Sequence, residues 1–166
     1  YEAALIDQKN KQPDRAASKL EELIRKIPDY PSMDEVLYEL GWSLQDSDKE
    51  SDAIKYFAKL IKEHPTSPLL AESAYYIGQK AYLKSRWQEA AKQFGIASSQ
   101  AKDAVLAEKA YYRLGWSLFK TGDYVASEKA FSEMANRFPK GQLGFDAKTM
   151  IAECRFKRSE YQSALT

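Results

Sequence analysis

The residues of this chain that could carry acid–base or nucleophilic chemistry are few and far apart. The 166 residues include one histidine and one cysteine, His64 and Cys154. His64 directly precedes Pro65, where a helix is expected to end, so we expect it to be an exposed helix-end residue. A serine nucleophile needs a base, and His64 is poorly placed to serve as one. Cys154 is predicted to be a small, partly buried apolar residue. We therefore predict no catalytic residues.

Metal and cofactor chemistry also lacks the usual sequence patterns. No His or Cys cluster has metal-ligand spacing, and the glycines are scattered and form no phosphate-binding loop. We predict no metal, no cofactor and no enzymatic activity; the alternative is an enzyme whose catalytic domain lies outside this sequence. The formal net charge is +1, which predicts no nucleic-acid partner. No apolar run reaches the roughly 18–20 residues that span a bilayer, so we predict no membrane insertion by this sequence.

An internal repeat dominates the sequence and predicts the elements that position its side chains. Gly41, Gly78 and Gly115 follow one another at steps of 37 residues, and the same step reaches Ala4 and Ala152. Three further columns keep this step. They are a small-residue column (Ala16, Ala53, Ala90, Ser127, Ala164), a large apolar column (Leu20, Phe57, Phe94, Phe131) and a helix-ending column (Pro28, Pro65, Lys102, Pro139).

Each unit is expected to form two antiparallel helices, A and B, joined by a short turn. Proline ends the B helix because its ring cannot continue the hydrogen-bond ladder. We expect the glycine of helix A to face the alanine of helix B, Gly78 against Ala90 for example, with the phenylalanine filling the remaining space. The predicted A helices cover about 1–10, 33–46, 69–84, 105–121 and 144–158. The predicted B helices cover about 13–27, 50–64, 87–101 and 124–138, and another begins near 161.

The pattern within a unit resembles the tetratricopeptide repeat family. Gly41, Ala53, Phe57 and Pro65 match the family's Leu-Gly, Ala, Phe and Pro signature, although the family's usual unit has about 34 residues. The resemblance implies an all-α fold, a right-handed α-solenoid of antiparallel helix pairs. We expect one array over 1–166 with units at about 1–33 (partial), 34–70, 71–107, 108–144 and 145–166 (partial). Both ends fall inside a unit, so we expect a piece of a longer protein.

The family resemblance also implies a concave groove lined by the A helices. The groove positions lie three before, one after and four after the repeat glycine. In this chain they hold Tyr38, Trp42, Tyr75, Gln79, Tyr82, Tyr112, Trp116, Phe119 and Phe156. Rigid aromatic side chains suit an extended or helical peptide, because they offer large contact area at low entropic cost. The alternative is that the tyrosines pack between adjacent A helices, and both interpretations can hold together.

Charged residues are expected at the two ends of this groove. Glu35 and Glu39 lie in the second unit, and Lys109 and Arg113 in the fourth. Family members that bind a C-terminal carboxylate use a Lys and an Arg one turn apart, as Lys109 and Arg113 are. The other clamp positions depart from that pattern, with Tyr76, Tyr38 and Trp42. We therefore expect a partner with a basic end near the second unit and an acidic end near the fourth.

The segment from Pro65 to Glu72 suggests a cellular location. Together with the 37-residue step, its Pro-x-Ser-Pro-Leu-Leu-Ala-Glu sequence is similar to bacterial envelope members of the family, the outer-membrane assembly lipoproteins and the periplasmic Tol–Pal coordinator. This similarity implies a periplasmic or other extracytoplasmic bacterial compartment, with the cytoplasm as the alternative. The predicted function is a scaffold that binds a protein or peptide partner in its groove. The alternative is a structural array that self-associates through its ends.

Overall fold

The chain is all-helical where its structure is described. A computed structural model describes the backbone of residues 1–164 and the side chains of residues 1–159. Within this part there are nine helices and no strand, which confirms the predicted fold class. The helices are α1 (Glu2–Lys9), α2 (Pro13–Lys26), α3 (Met33–Asp46), α4 (Glu50–Glu63), α5 (Leu70–Leu83), α6 (Trp87–Gln100), α7 (Ala104–Thr121), α8 (Tyr124–Arg137) and α9 (Gly144–Ala164).

The chain forms two compact units, Tyr1–Ser73 and Ala74–Thr166. In the first unit, α1 packs on α2, α2 on α3 and α3 on α4. In the second unit, α6 packs on α7, α7 on α8 and α8 on α9. Each of these helices therefore covers the apolar face of its neighbours in sequence, as stacked repeats must.

The four turns between the helices of a pair share one backbone geometry. The turn residue has a left-handed φ in each, 56° at Lys11, 58° at Asp48, 56° at Ser85 and 83° at Gly122. At the second turn, the Asp48 N–H donates to the carbonyl of Gln45 (3.1 Å) and the Lys49 N–H donates to that of Leu44 (2.9 Å). This pair of bonds is the Schellman motif, which satisfies the last carbonyls of the A helix. The turn reverses the chain, so each B helix runs antiparallel to its A helix.

The core of each complete 37-residue repeat is a phenylalanine ring that packs against a glycine. A Cβ added to Gly41 would lie 2.6 Å from Cζ of Phe57, and one added to Gly115 would lie 2.6 Å from Cζ of Phe131. At Gly78 the nearest atom is Cδ1 of Phe94, 2.9 Å from the added Cβ. The prediction that the phenylalanine fills the space beside the glycine is therefore confirmed, and the contact of Gly78 with Ala90 stays a prediction. The phenylalanine lies one helical turn beyond the alanine on the same face, and its longer side chain reaches the A-helix backbone.

The last helix differs from the sequence-based prediction. We expected an A helix ending near residue 158 and a B helix beginning near 161, but α9 continues from Gly144 to Ala164. Ser159 stands 37 residues after Gly122, at the turn position, yet it is helical and its hydroxyl donates to the carbonyl of Phe156 (2.8 Å). A left-handed residue costs about 1–2 kcal/mol. Residues 165–166 of the expected B helix lie outside the described residues.

Candidate partner-binding surface

In the first unit, two A-helix aromatics flank the buried phenylalanine ring. Tyr38 and Trp42 lie on α3, three residues before and one after Gly41, and both are half-buried. Their rings meet Phe57 edge to face, with centroid distances of 5.9 Å from Tyr38 and 5.5 Å from Trp42. The glycine permits this arrangement, because a side chain at that position would displace the ring. Tyr38 and Trp42 therefore both pack on the core and keep part of their surface exposed.

The second unit repeats the arrangement around Phe94 on α6. Tyr75 and Tyr82 of α5 contact Phe94 with centroid distances of 5.4 Å and 6.4 Å. Tyr82 also packs edge to face against Trp87, 4.9 Å away. Tyr75 and Tyr82 are half-buried, whereas Gln79, between them on the helix, is exposed.

A larger aromatic cluster surrounds Phe131 on α8. Tyr112 and Trp116 of α7 contact Phe131 at 5.9 Å and 6.5 Å. Trp116 in turn contacts Phe119 at 5.8 Å, and Phe119 contacts Tyr124 at 5.1 Å. Tyr112, Trp116 and Phe119 are half-buried. Five aromatic rings of α7 and α8 are therefore joined in one cluster.

Phe156, the last predicted groove aromatic, lies on α9 and is 55% exposed. The ammonium nitrogen of Lys157 lies 5.8 Å from its ring centroid. Phe156 is therefore more exposed than the half-buried aromatics of α7. That the aromatics of both units share one concave surface stays a prediction.

A tyrosine–carboxylate contact links successive A helices and was missed from the sequence. The Tyr38 hydroxyl donates to Oε2 of Glu72, and the Tyr112 hydroxyl lies 3.5 Å from Oδ2 of Asp146; each acid follows its tyrosine by 34 residues. Tyr1 interacts with Glu35 at the same separation. The signal was available, since Glu35, Glu72, Lys109 and Asp146 form another column at the 37-residue step.

These contacts perturb the phenols and engage the predicted acidic residues. Burial, followed by the Glu39 and Glu35 carboxylates, raises the pKa of Tyr1 to about 12. Burial and the hydrogen bond to Glu72 raise the pKa of Tyr38 above its ordinary value. Glu39 is half-buried, and its backbone carbonyl accepts a hydrogen bond from Nε2 of Gln8 (3.1 Å). Glu35 and Glu39 are therefore part of the internal contacts of the first unit.

The predicted basic residues lie on α7 beside an open cavity. The Arg113 guanidinium carbon lies 5.2 Å from the ring centroid of Tyr82, a cation–π contact. Arg113, Tyr82, Gln79 and Phe94 line a cavity of about 220 Å³, together with Lys80 and Leu83. Leu83 is 78% exposed at its rim. The structure thus brings Gln79, Tyr82 and Arg113 together, while Lys109 lies one turn before Arg113 and is exposed.

Cys154 and His64 are both more buried than expected. The Cys154 thiol is fully buried, donates to the Ser127 hydroxyl (Sγ–Oγ 3.3 Å), and has its pKa raised mainly by burial. The Ser127 hydroxyl in turn donates a hydrogen bond to the carbonyl of Gly115 (2.8 Å), which places this member of the small-residue column beside the glycine backbone. His64 ends α4 and is half-buried. Cys154 is therefore a core residue of the second unit.

Among the residues that the structure describes, no group of three or more His, Cys, Asp or Glu side chains is placed to hold a metal ion. None of the helices in this part of the chain combines the length and apolar character needed to cross a membrane.

Two segments of the chain match a known repeat family, and several solved structures share its fold. Residues 35–67 and 109–141 match the tetratricopeptide repeat family. A search of curated proteins found no match. Among solved structures, the chain is similar to MamA residues 41-end from Desulfovibrio magneticus RS-1, with 17% identity, a TM-score of 0.63, and coverage of 99% of this chain and 90% of that one. It is also similar to the nearly identical TPR-like repeats of a Podosopora anserina protein, with 15% identity, a TM-score of 0.61, and coverage of 99% and 87%.

At these identities the solved structures show a shared fold only. The family match falls on the second and fourth repeats, which carry the Leu-Gly-Trp-Ser-Leu segments at 40–44 and 114–118. The repeat signature and the helix pairs agree with this match, and the segments 35–67 and 109–141 are tetratricopeptide repeats.

Proposed function

We propose that this chain is a protein–protein interaction scaffold that binds a peptide or helix of a partner through its A-helix aromatics. The observation that carries the proposal is the surface of the second unit. There Tyr82 and Arg113 border an open cavity of about 220 Å³, and Trp116 and Phe119 are only half-buried. Tetratricopeptide repeat proteins are in general scaffolds rather than enzymes, which agrees with this proposal.

The chemistry of the surface fits a peptide segment with apolar side chains. Trp116 is held edge to face by Tyr112 and Phe119, so its exposed part is rigid before a partner arrives. Rigid aromatics lose little entropy on binding and are frequent binding hot spots. An apolar residue of the partner would contact these rings, and exposed charges around them would mainly set its orientation and association rate.

A site-specific photo-crosslinker tests the proposal in cells. Incorporated at Gln79, which is exposed beside the cavity, it should link the chain to its partner. Incorporated at Val125, which is 60% exposed on the B helix α8, it should not give the same product. The proposal fails if the two positions give the same products or if neither gives one.

Affinity of the purified partner supplies the quantitative test. Trp116→Ala should weaken binding by about 2 kcal/mol, roughly thirtyfold in Kd. The matched control is Tyr56→Ala, which removes a half-buried aromatic from the B helix α4 and should leave Kd unchanged. Equal losses for the two variants would place the recognition surface elsewhere.

Self-association is a second candidate function, favoured by exposed rings on α9. Phe145 is 81% exposed and Phe156 is 55% exposed, which is unusual for such large apolar side chains. We propose that this helix can contact a second copy of the chain. Sedimentation velocity over a range of concentrations should show association that Phe145→Ser reduces. A monomer at every concentration would exclude this candidate.

A bacterial envelope location, with the cytoplasm as the alternative, stays a proposal that depends on the 37-residue step and the Pro65–Glu72 segment. Fractionation of cells that express the complete protein tests it directly. Recovery with the periplasmic fraction supports the proposal, and recovery with a cytoplasmic marker contradicts it.

A further inference from the structure

The tyrosine–carboxylate series between A helices is interrupted at one step. Tyr38 donates to Glu72, and the Tyr112 hydroxyl lies 3.5 Å from Asp146. Tyr75 occupies the same column, but the residue 34 positions later is Lys109. A phenol and an ammonium group therefore stand at equivalent positions where the other steps have a phenol and a carboxylate.

A second cation adds to the positive charge at this step. Arg113 follows Lys109 by one turn of α7, and its guanidinium lies over the ring of Tyr82. Within the part of the chain that the structure describes, no carboxylate forms an ion pair with Lys109 or Arg113. Arg113 lines the cavity together with Phe94, against which the Tyr75 ring packs at 5.4 Å. Tyr75, Lys109 and Arg113 thus lie on elements that surround one cavity.

We propose that the edge of this cavity, where Arg113 lines it and Lys109 lies one turn away, receives an aspartate or glutamate side chain of the partner, which replaces the carboxylate missing from the Tyr75 step. The partner's carboxylate accepts a hydrogen bond from the Tyr75 hydroxyl and pairs with Lys109 and Arg113. Hydrogen bonds to an ionised carboxylate are stronger than neutral ones. The site is open and Lys109 is exposed, so the carboxylate keeps part of its hydration and the desolvation penalty is smaller than in a closed core.

This inference rests on the proposed function and adds the chemistry of one partner residue. It differs from recognition of a chain terminus, because the acid belongs to a side chain within the bound segment. The neighbouring aromatics, Tyr82 and Trp116, would contact apolar residues on either side of that acid. The expected partner segment is therefore an acidic residue flanked by apolar ones.

Selection of random displayed peptides by the whole 166-residue chain tests the inference. We expect the enriched sequences to share an Asp or Glu beside apolar residues. One enriched peptide is then synthesised with a free C-terminus and with a C-terminal amide, and both forms should bind equally. Binding of the free acid alone would overturn the inference, as would enriched sequences that lack an acid. If no sequence is enriched, the proposed function fails as well.

Two pairs of variants separate the site from general electrostatics. Lys109→Glu should weaken binding of the amidated peptide about tenfold or more in Kd. Lys120→Glu makes the same charge change elsewhere on α7 and should have little effect on Kd. Tyr75→Phe should weaken peptide affinity about fivefold, whereas Tyr56→Phe removes a hydroxyl from the B helix α4 and should not. Equal losses within either pair would overturn the inference.

Thermal stability gives a check that a folding defect cannot imitate. The carboxylate introduced by Lys109→Glu would accept a hydrogen bond from Tyr75 and complete the series. We therefore expect this variant to lose peptide affinity while its Tm rises slightly or is unchanged. A clear drop in Tm would show that Lys109 stabilises the fold, and the inference would be wrong.

Discussion

The glycine–phenylalanine contact can be tested by adding one methyl group at each of two helical glycines in the second compact unit, Ala74–Thr166. In Gly115→Ala the new Cβ would lie 2.6 Å from Cζ of Phe131. In Gly95→Ala, on α6, the nearest atom is Cδ1 of Leu114 at 4.0 Å, an ordinary contact. Both changes gain about 1 kcal/mol of helix propensity. The two variants therefore differ only in what the methyl group meets.

The magnitude follows from how little the ring can move. Carbon atoms pack at about 3.5–4.0 Å, so Gly115→Ala falls short of a normal contact by about 1 Å. Phe131 is fully buried, and Tyr112 and Trp116 pack against its ring. Overpacking costs about 1–3 kcal/mol, so after the propensity gain we expect Gly115→Ala to destabilise by about 0–2 kcal/mol. Gly95→Ala should stabilise by about 1 kcal/mol, a gap of about 1–3 kcal/mol between the variants.

Urea unfolding followed by helical circular dichroism measures this gap. For a chain of this size, 1 kcal/mol shifts Tm by about 2–4 °C, so thermal unfolding should rank the variants in the same order. Adding Phe131→Leu to Gly115→Ala should recover part of the loss, because the first unit already pairs Ala4 with Leu20, both buried, at the equivalent positions. The reasoning is refuted if Gly115→Ala stabilises the chain as much as Gly95→Ala does.

Three further predictions concern the turns, the Tyr38 phenol and the ion pair of a buried carboxylate. Because Ser85 has a left-handed φ of 56°, Ser85→Gly should raise the free energy of unfolding by about 0.5–1 kcal/mol, whereas Gly122→Ser should lower it by about 1 kcal/mol. Equal changes for the two variants in urea unfolding would contradict the turn argument. The raised pKa of Tyr38 means that its contribution to the free energy of unfolding is complete below about pH 10 and is lost as the pH rises above that value. Between about pH 10 and 12, the free energy of unfolding should therefore fall less in Tyr38→Phe than in the parent chain. Lys19 pairs with the buried Asp7 at 2.6 Å, so Lys19→Met should destabilise by about 1–3 kcal/mol and added Asp7→Leu should restore much of the loss, with recovery in the double variant as the check.

Much of the fold follows from the sequence because the repeat columns encode local physics. Proline two residues beyond the B helix, as at Pro65 after Glu63, marks where the hydrogen-bond ladder stops. The 37-residue step then placed each A and B helix, from α1 to α8, within a residue or two of its observed bounds. The aromatic positions around Gly41 and Gly115 follow from the same periodicity, since residues three before and one or four after share a helix face.

What the sequence could not supply are the contacts that depend on side-chain length and on the neighbouring helix. Spacing marks the columns of Gly78, Ala90 and Phe94 but not how closely the ring approaches the glycine, because that depends on the distance between the two helix axes. Likewise, Glu35 was recognised as a charge, yet its use by Tyr1 depends on the stacking of adjacent A helices.

The position of Arg113 over the Tyr82 ring was decided in the same way. The sequence alone determined the all-helical repeat and the residues that each A helix can present. The tertiary structure decided which of these residues are engaged internally and which, beside the cavity of the second unit, have no carboxylate partner among the described residues. The physical reason is that periodicity fixes direction within one helix, whereas contact between helices depends on packing distance.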